Sequence, residues 1–112
     1  MLSLQNKNII ITGASSGIGR ECAILASKLG ARVILIARNQ EKLEETLSAM
    51  SGNGHIIIAN DVTDYEPLKN KLSEILESDI KHIDGIVHCA GREMTKPFFL
   101  TKAEHFRELL EV

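Results

Sequence analysis

The residues with the clearest chemical purpose are the glycines of Thr12-Gly13-Ala14-Ser15-Ser16-Gly17-Ile18-Gly19. The β-branched run at 8–11 has no polar alternation after Asn8, the pattern of a strand buried on both faces. A helical pattern resumes at Gly17, so the glycines stand between a strand and a helix. In that position one glycine turns the chain, one lets a bulky anion approach the backbone, and one lets helix and strand pack closely. The helix start aims unpaired N–H groups and a partial positive charge at the turn, which suits a phosphate or pyrophosphate. The strand before and helix after argue against a mere flexible surface turn. The spacing is not G-x-G-x-x-G, and the absence of a Lys-Ser/Thr ending argues against a P-loop NTPase.

The stretch T-G-A-S-S-G-I-G resembles the cofactor loop of the short-chain dehydrogenase/reductase family. Members are usually single-domain NAD(P)-dependent oxidoreductases. The extended branch of that family spaces its glycines G-x-x-G-x-x-G, so this sequence sides with the shorter branch. The resemblance implies a cofactor cradle made by Gly13, Ser15, Ser16, Gly17, Ile18 and Gly19, with Arg20 a further helper or a solvent-facing residue.

The elements that must position this loop follow in regular alternation. The spacing of Ile18, Cys22, Leu25, Ala26 and Leu29 predicts a helix over 17–29 with those residues facing the sheet, and Gly30 caps it. A second buried strand is expected over 32–37. A helix capped by Asn39 follows to about 50, with Glu41 in its first turn and Leu43 and Leu47 inward. A turn cluster at 51–54 leads to a third strand at 55–59. Asp64 can cap a third helix to about 78, whose apolar stripe is Leu68, Leu72, Ile75 and Leu76. A fourth strand is expected at 83–89, an irregular segment at 92–100, and a helix opened by the capping box Thr101-Lys102-Ala103-Glu104. Four alternations of strand and helix predict one α/β domain over residues 1–112, a doubly wound parallel sheet. By analogy with the Rossmann-like fold, the strand order is 3-2-1-4 and the cofactor lies across the carboxyl ends of the strands.

Those strand ends carry the remaining candidates. After the second strand, Ala37 stands where a carboxylate would hold an unphosphorylated ribose, and Arg38 and Asn39 follow. A guanidinium grips an added phosphate where an aspartate would repel it, favouring NADP(H) over NAD(H). The alternative is a solvated Arg38 that Glu41 neutralises. After the third strand, Asp61 and Val62 resemble the family's adenine pocket, although Asp61 also suits a turn. After the fourth, His88-Cys89-Ala90-Gly91 stands where the family commonly has Asn-Asn-Ala-Gly. The small Ala90 and Gly91 let the backbone pass beneath the cofactor ribose. Cys89 joins them in the proposed cofactor contacts. His88 reads as a structural histidine rather than a base, and His55, His82 and His105 suggest no site.

The family's catalytic pair is Tyr-x-x-x-Lys, with an assisting serine and asparagine. Tyr65 and Lys69 have that spacing but lie between the third strand and third helix, on the adenine side. The family's pair falls well after the Ala-Gly strand, so Tyr65 reads as a first-turn helix residue and no catalytic residue is assigned. Family domains run to about 250 residues, so the resemblance covers the cofactor-binding half, and a truncated chain is expected.

Composition sets the outer limits. The chain has 112 residues, 44% hydrophobic and 25% charged, with room for one modest core. A net charge of −2 leaves no basic footprint for nucleic acid. No signal pattern or membrane-length apolar run is present, so a cytoplasmic protein without a membrane partner is expected. Cys22 and Cys89 lack metal-type spacing and read as buried thiols in a reducing compartment, with neither a disulfide nor a metal expected. The unpaired edge of the fourth strand and the inward face of the last helix imply self-association. A concentration-independent monomer in sedimentation would count against that. The function expected from the resemblance is hydride exchange between NADP(H) and a small-molecule carbonyl or alcohol substrate. The alternative is a non-catalytic dinucleotide-binding or sensory module.

Overall fold

Ile10, Ile11 and the unbroken run from Val33 to Ala37 are buried on both sides of their strands and set the centre of a sheet. A computed structural model of the chain describes residues 3–78, 80 and 82–89. The elements in order are β1 (Asn8–Thr12), α1 (Gly17–Lys28), β2 (Arg32–Ala37), α2 (Gln40–Ser48), β3 (Ile56–Ala59), α3 (Tyr65–Ser78) and β4 (Gly85–His88). The sheet order is β3-β2-β1-β4 and every pairing is parallel. This is the doubly wound, Rossmann-like arrangement that the alternation of strand and helix predicts. The expected segment at 92–100, the helix from Thr101, and Ala90 and Gly91 lie outside the described residues.

Two cores flank the sheet because successive strand residues point to opposite faces. On one face Ile10, Ile34, Ile36 and Ile58 pack with Leu68 and Leu72 of α3, and Ile75, Leu76 and Val62 close the margin. On the other, Ile11, Val33 and Leu35 meet Ala23 and Ala26 of α1 and Leu43 of α2. The register places Thr12 beside both Ile36 and His88, and Ala37 beside Ala59. All four carboxyl ends therefore lie on one edge.

Two helix faces differ from their sequence reading. In α1 the buried residues are Gly19, Ala23, Ala26 and Ser27, whereas Ile18 is 77% and Leu25 58% exposed. The cause is close approach: a Cβ at Gly19 would lie 2.0 Å from the Gly13 carbonyl oxygen, so only small residues fit beneath this helix. The large apolar side chains are turned to its flank. In α2 the buried pair is Leu43 and Thr46 rather than Leu43 and Leu47. Thr46 is inward because its hydroxyl donates to the Ala14 carbonyl at 3.0 Å.

Side-chain bonds tie the far ends of the strands. Asp84 Oδ2 accepts the Asn8 amide at 2.7 Å, and Asn8 Nδ2 donates to the His82 carbonyl at 3.0 Å. His55 Nδ1 accepts the Val33 amide at 3.0 Å while Nε2 lies 2.7 Å from the Ser51 carbonyl. Those partners fix the imidazole as the tautomer protonated on Nε2.

Candidate functional site

The glycine turn leaves β1 under tight backbone control. Gly13 has φ +68° and donates its amide to the Ile36 carbonyl at 2.8 Å, so the turn is clamped to β2. Gly17, with φ +56°, occupies the left-handed region that favours glycine. The Thr46 hydroxyl holds Ala14 from below, a positioning role the sequence reading missed. Its only sequence signal is a threonine three residues after Leu43, on the inward face of a helix.

At the start of α1, Ser16 is the N-cap residue but its side chain makes no capping hydrogen bond, and the first turn holds no acidic residue. The terminal N–H groups and the positive end of the helix dipole are thus not compensated by a local carboxylate or cap. Ser16, Gly17 and Ile18 are exposed, Ser15 is half-buried and Gly19 is buried. The residues fit an anionic group: the turn presents backbone donors to solvent, and its crowded contacts lie on the inner side, toward Gly13 and α2.

Beside this turn, Ala37 ends β2 and the exposed Arg38 follows. Asn39 Oδ1 accepts the Lys42 amide at 3.0 Å, so its side chain is committed to capping α2. Beyond β3, the Asn60 amide donates to the Ala37 carbonyl at 2.8 Å and holds the two strand ends together. Asp61 Oδ1 accepts both the Thr63 amide at 2.9 Å and the Thr63 hydroxyl at 2.8 Å. These bonds from Thr63 hold the Asp61 carboxyl below its ordinary value, and the positive charge of Arg38 lowers it further. Asp61 is therefore at once a turn residue and a charge facing Arg38. Val62 packs against the core on the α3 side.

At the end of β4, His88 Nδ1 and the Thr12 hydroxyl are 2.6 Å apart. Burial lowers the His88 pKa and favours a neutral ring. The Cys89 amide donates to the Thr12 carbonyl at 3.2 Å. Cys22 and Cys89, remote in sequence, are both half-buried rather than the buried thiols that the sequence suggests. Burial pushes the Cys89 thiol up, and the neighbouring Cys22 adds to the shift. Tyr65 is the first residue of α3 and is 53% exposed.

The strand ends thus gather Gly13, Ser15 to Gly19, Arg38, Asn39, Asp61, Val62 and Cys89 along one edge of the sheet. A model of the family described as short chain dehydrogenase matches residues 7–112. The chain belongs to the short chain dehydrogenase family. It is 39% identical over 114 residues to an uncharacterised oxidoreductase of Listeria innocua, covering 99% of this chain and 45% of that protein. It is 36% identical over 96 residues to a fatty acyl-CoA reductase of Acinetobacter baylyi, covering 84% of this chain and 32% of that one. Among solved structures, a short chain dehydrogenase of Escherichia coli CFT073 complexed with NADPH superposes with a TM-score of 0.71 at 34% identity, covering 81% of this chain and 39% of that one. The chain spans less than half the length of these relatives. Among the described residues of this family member, no group of three or more His, Cys, Asp or Glu could hold a metal ion. No described helix is long and apolar enough to cross a membrane.

Proposed function

We propose that residues 1–112 form the dinucleotide-binding half of an NADP(H)-dependent short chain oxidoreductase that interconverts a carbonyl and an alcohol on a small molecule. The observation that carries the cofactor choice is the end of β2. Ala37 stands where a ribose-binding carboxylate would, and the exposed Arg38 beside it can take a phosphate. The uncapped start of α1 supports the pyrophosphate part of the reading. The NADPH bound by the E. coli relative is in keeping with both.

In this reading Gly13, Ser15, Ser16, Gly17, Ile18 and Gly19 cradle the pyrophosphate with backbone N–H groups, and Arg38 and Asn39 border the phosphorylated ribose. Asp61 and Val62 border the adenine, and Cys89, Ala90 and Gly91 floor the other ribose. When bound, the nicotinamide supplies or accepts the hydride. Nothing in this stretch is assigned the proton transfer, because Tyr65 opens α3 at the adenine end and His88 is bonded to Thr12. The stretch alone is expected to bind cofactor without turnover.

Thermal shift with NADPH and NADH tests this. NADPH should raise Tm more than NADH at equal concentration. Arg38→Ala should weaken NADPH binding by about 10–100-fold, the worth of a charge-assisted hydrogen bond, and leave NADH unchanged. Equal shifts by the two cofactors would overturn the role of Arg38. Absence of any shift would overturn the site.

A further inference from the structure

We propose that Asn53 is a self-modification site: the fold leaves its carboxamide and the Gly54 nitrogen free to react, and Asn53 is converted to aspartate and isoaspartate at the junction of α2 and β3. The site lies at the amino ends of the strands, away from the edge that holds the glycine turn, and does not depend on the cofactor reading. Gly52, Asn53 and Gly54 are all exposed. The chain is held on either side of Asn53. The Ser51 amide donates to Ser27 Oγ at 2.9 Å, and the Gly54 carbonyl accepts from Arg32 Nε at 2.6 Å. Between those anchors, among the described residues, no hydrogen bond engages the Asn53 side chain or the Gly54 N–H.

The glycine that follows is dictated by the backbone. Gly54 has φ +81°, and a Cβ there would lie 3.3 Å from Arg32 Nε. A larger residue would be strained in that conformation, so the entry to β3 requires the residue type that least hinders reaction at its own nitrogen. The other asparagines each lack one of the two conditions. Asn8 Nδ2 donates to the His82 carbonyl, Asn39 Oδ1 accepts the Lys42 amide, and Asn60 Nδ2 donates to the Asp61 carbonyl. The amide that follows Asn6 donates to the Leu4 carbonyl at 3.0 Å. Asn70 lies inside α3, where the next amide belongs to the helical ladder.

The conversion needs no reagent but water. The Gly54 nitrogen, losing its proton, attacks Asn53 Cγ. The N–C bond forms, the Cγ–Nδ2 bond breaks, and ammonia leaves with that proton, so a cyclic imide remains. Water then opens the ring. Breaking the bond from nitrogen to Cγ gives aspartate; breaking the bond from nitrogen to the main-chain carbonyl carbon gives isoaspartate, whose backbone runs through Cβ and Cγ. One water enters and one ammonia is released. Both products add a carboxylate beside the residue that Arg32 holds, and isoaspartate also lengthens the backbone between the Ser51 and Gly54 anchors. That extra carbon draws the Gly54 carbonyl off Arg32.

The test incubates the purified 112-residue chain in mildly alkaline buffer beside a free peptide of residues 50–56. Intact mass, released ammonia and fragmentation of the peptide holding residue 53 are followed, and methyl transfer from S-adenosylmethionine by an isoaspartate methyltransferase counts the isoaspartyl form. Expected are exchange of one amide for one acid confined to Asn53, one ammonia per chain and methyl acceptance. The rate should be close to that of the free peptide, because a loop that reacts without opening is not protected. Asn53→Ser should abolish both ammonia release and methyl acceptance. The isolated isoaspartyl form should melt below the parent, whereas Asn53→Asp, with its backbone unaltered, should melt close to it. Slowing of the folded chain by about tenfold or more against the peptide, or earlier conversion of another asparagine, would overturn the site. Equal melting of the isoaspartyl form and the parent would overturn the pull on the Arg32 anchor.

Discussion

The starts of α1 and α2 lie along the same edge of the same sheet and are built in opposite ways. Asn39 caps α2 with its side chain, and Glu41 sits in the first turn against the helix dipole. At α1 the serine in the capping position makes no such bond, no acid follows, and Gly17 holds φ +56°. One terminus is satisfied by its own residues; the other presents its donors outward. The difference separates a helix end closed by its own side chains from one left open, and composition alone does not draw that line because both begin with a good capping residue.

The strongest way to break the contrast is to remove the close contact that sets the α1 geometry. Gly19→Ala places a methyl group 2.0 Å from the Gly13 carbonyl oxygen. Overpacking of backbone against backbone should cost about 3 kcal/mol and abolish dinucleotide binding, read by urea unfolding and NADPH titration. Retained stability and affinity would mean that the loop and helix are not rigidly coupled. A milder test makes α1 resemble α2. Ser16→Asp supplies a carboxylate to the vacant donors and should stabilise the chain without ligand by about 0.5–1 kcal/mol. The same charge should weaken NADPH binding at least about tenfold by repelling phosphate. The mirror change, Asn39→Ala, should cost about 1 kcal/mol of stability and leave the α1 terminus unaltered. If Ser16→Asp neither stabilises nor repels, the terminus was never open.

The smallest effect is a pH dependence next to the glycine turn. Burial gives His88 a lower pKa in the folded chain than its ordinary 6.5. Its contribution to stability is therefore complete above 6.5 and is lost as pH falls from there through the folded value. Replacing it by Asn, which can still bond Thr12, should flatten that part of the profile. An unchanged acid limb between wild type and His88→Asn would show that the histidine does not titrate in the transition.

Much of this arrangement was legible in the sequence because its signals are local. The glycine spacing, the buried runs of β1 and β2, and Asn39 before a helical pattern each depend on a few neighbouring residues, and each matches the structure. The misreadings share one physical origin. Apolar periodicity put Ile18 and Leu25 inward, but the backbone contact at Gly19 admits only Gly, Ala and Ser there and turns the larger side chains to the flank. Leu47 yielded its inward place to Thr46 because the Ala14 carbonyl needed a donor. The His55 bond to the Val33 amide joins residues far apart in sequence, so no spacing rule could announce it. Asp61 was read both as a turn residue and as a cofactor contact; its Thr63 bonds establish the first role and leave the second as a proposal.

The pairing of β1 with β4 also bears on how the chain is made. β1 leaves the ribosome before the other described strands, yet its second neighbour belongs to a segment tied to it through Asn8 and Asp84, 76 residues apart. β2 and β3 can pair with it while synthesis continues, since domains begin folding from the emerging N-terminal end. Throughout that interval the strand that carries the glycine turn keeps one edge open. Completion of the strand-end edge by β4 is therefore expected to lag behind the pairing of β1, β2 and β3, because closing such a long loop precedes any contact that rewards it.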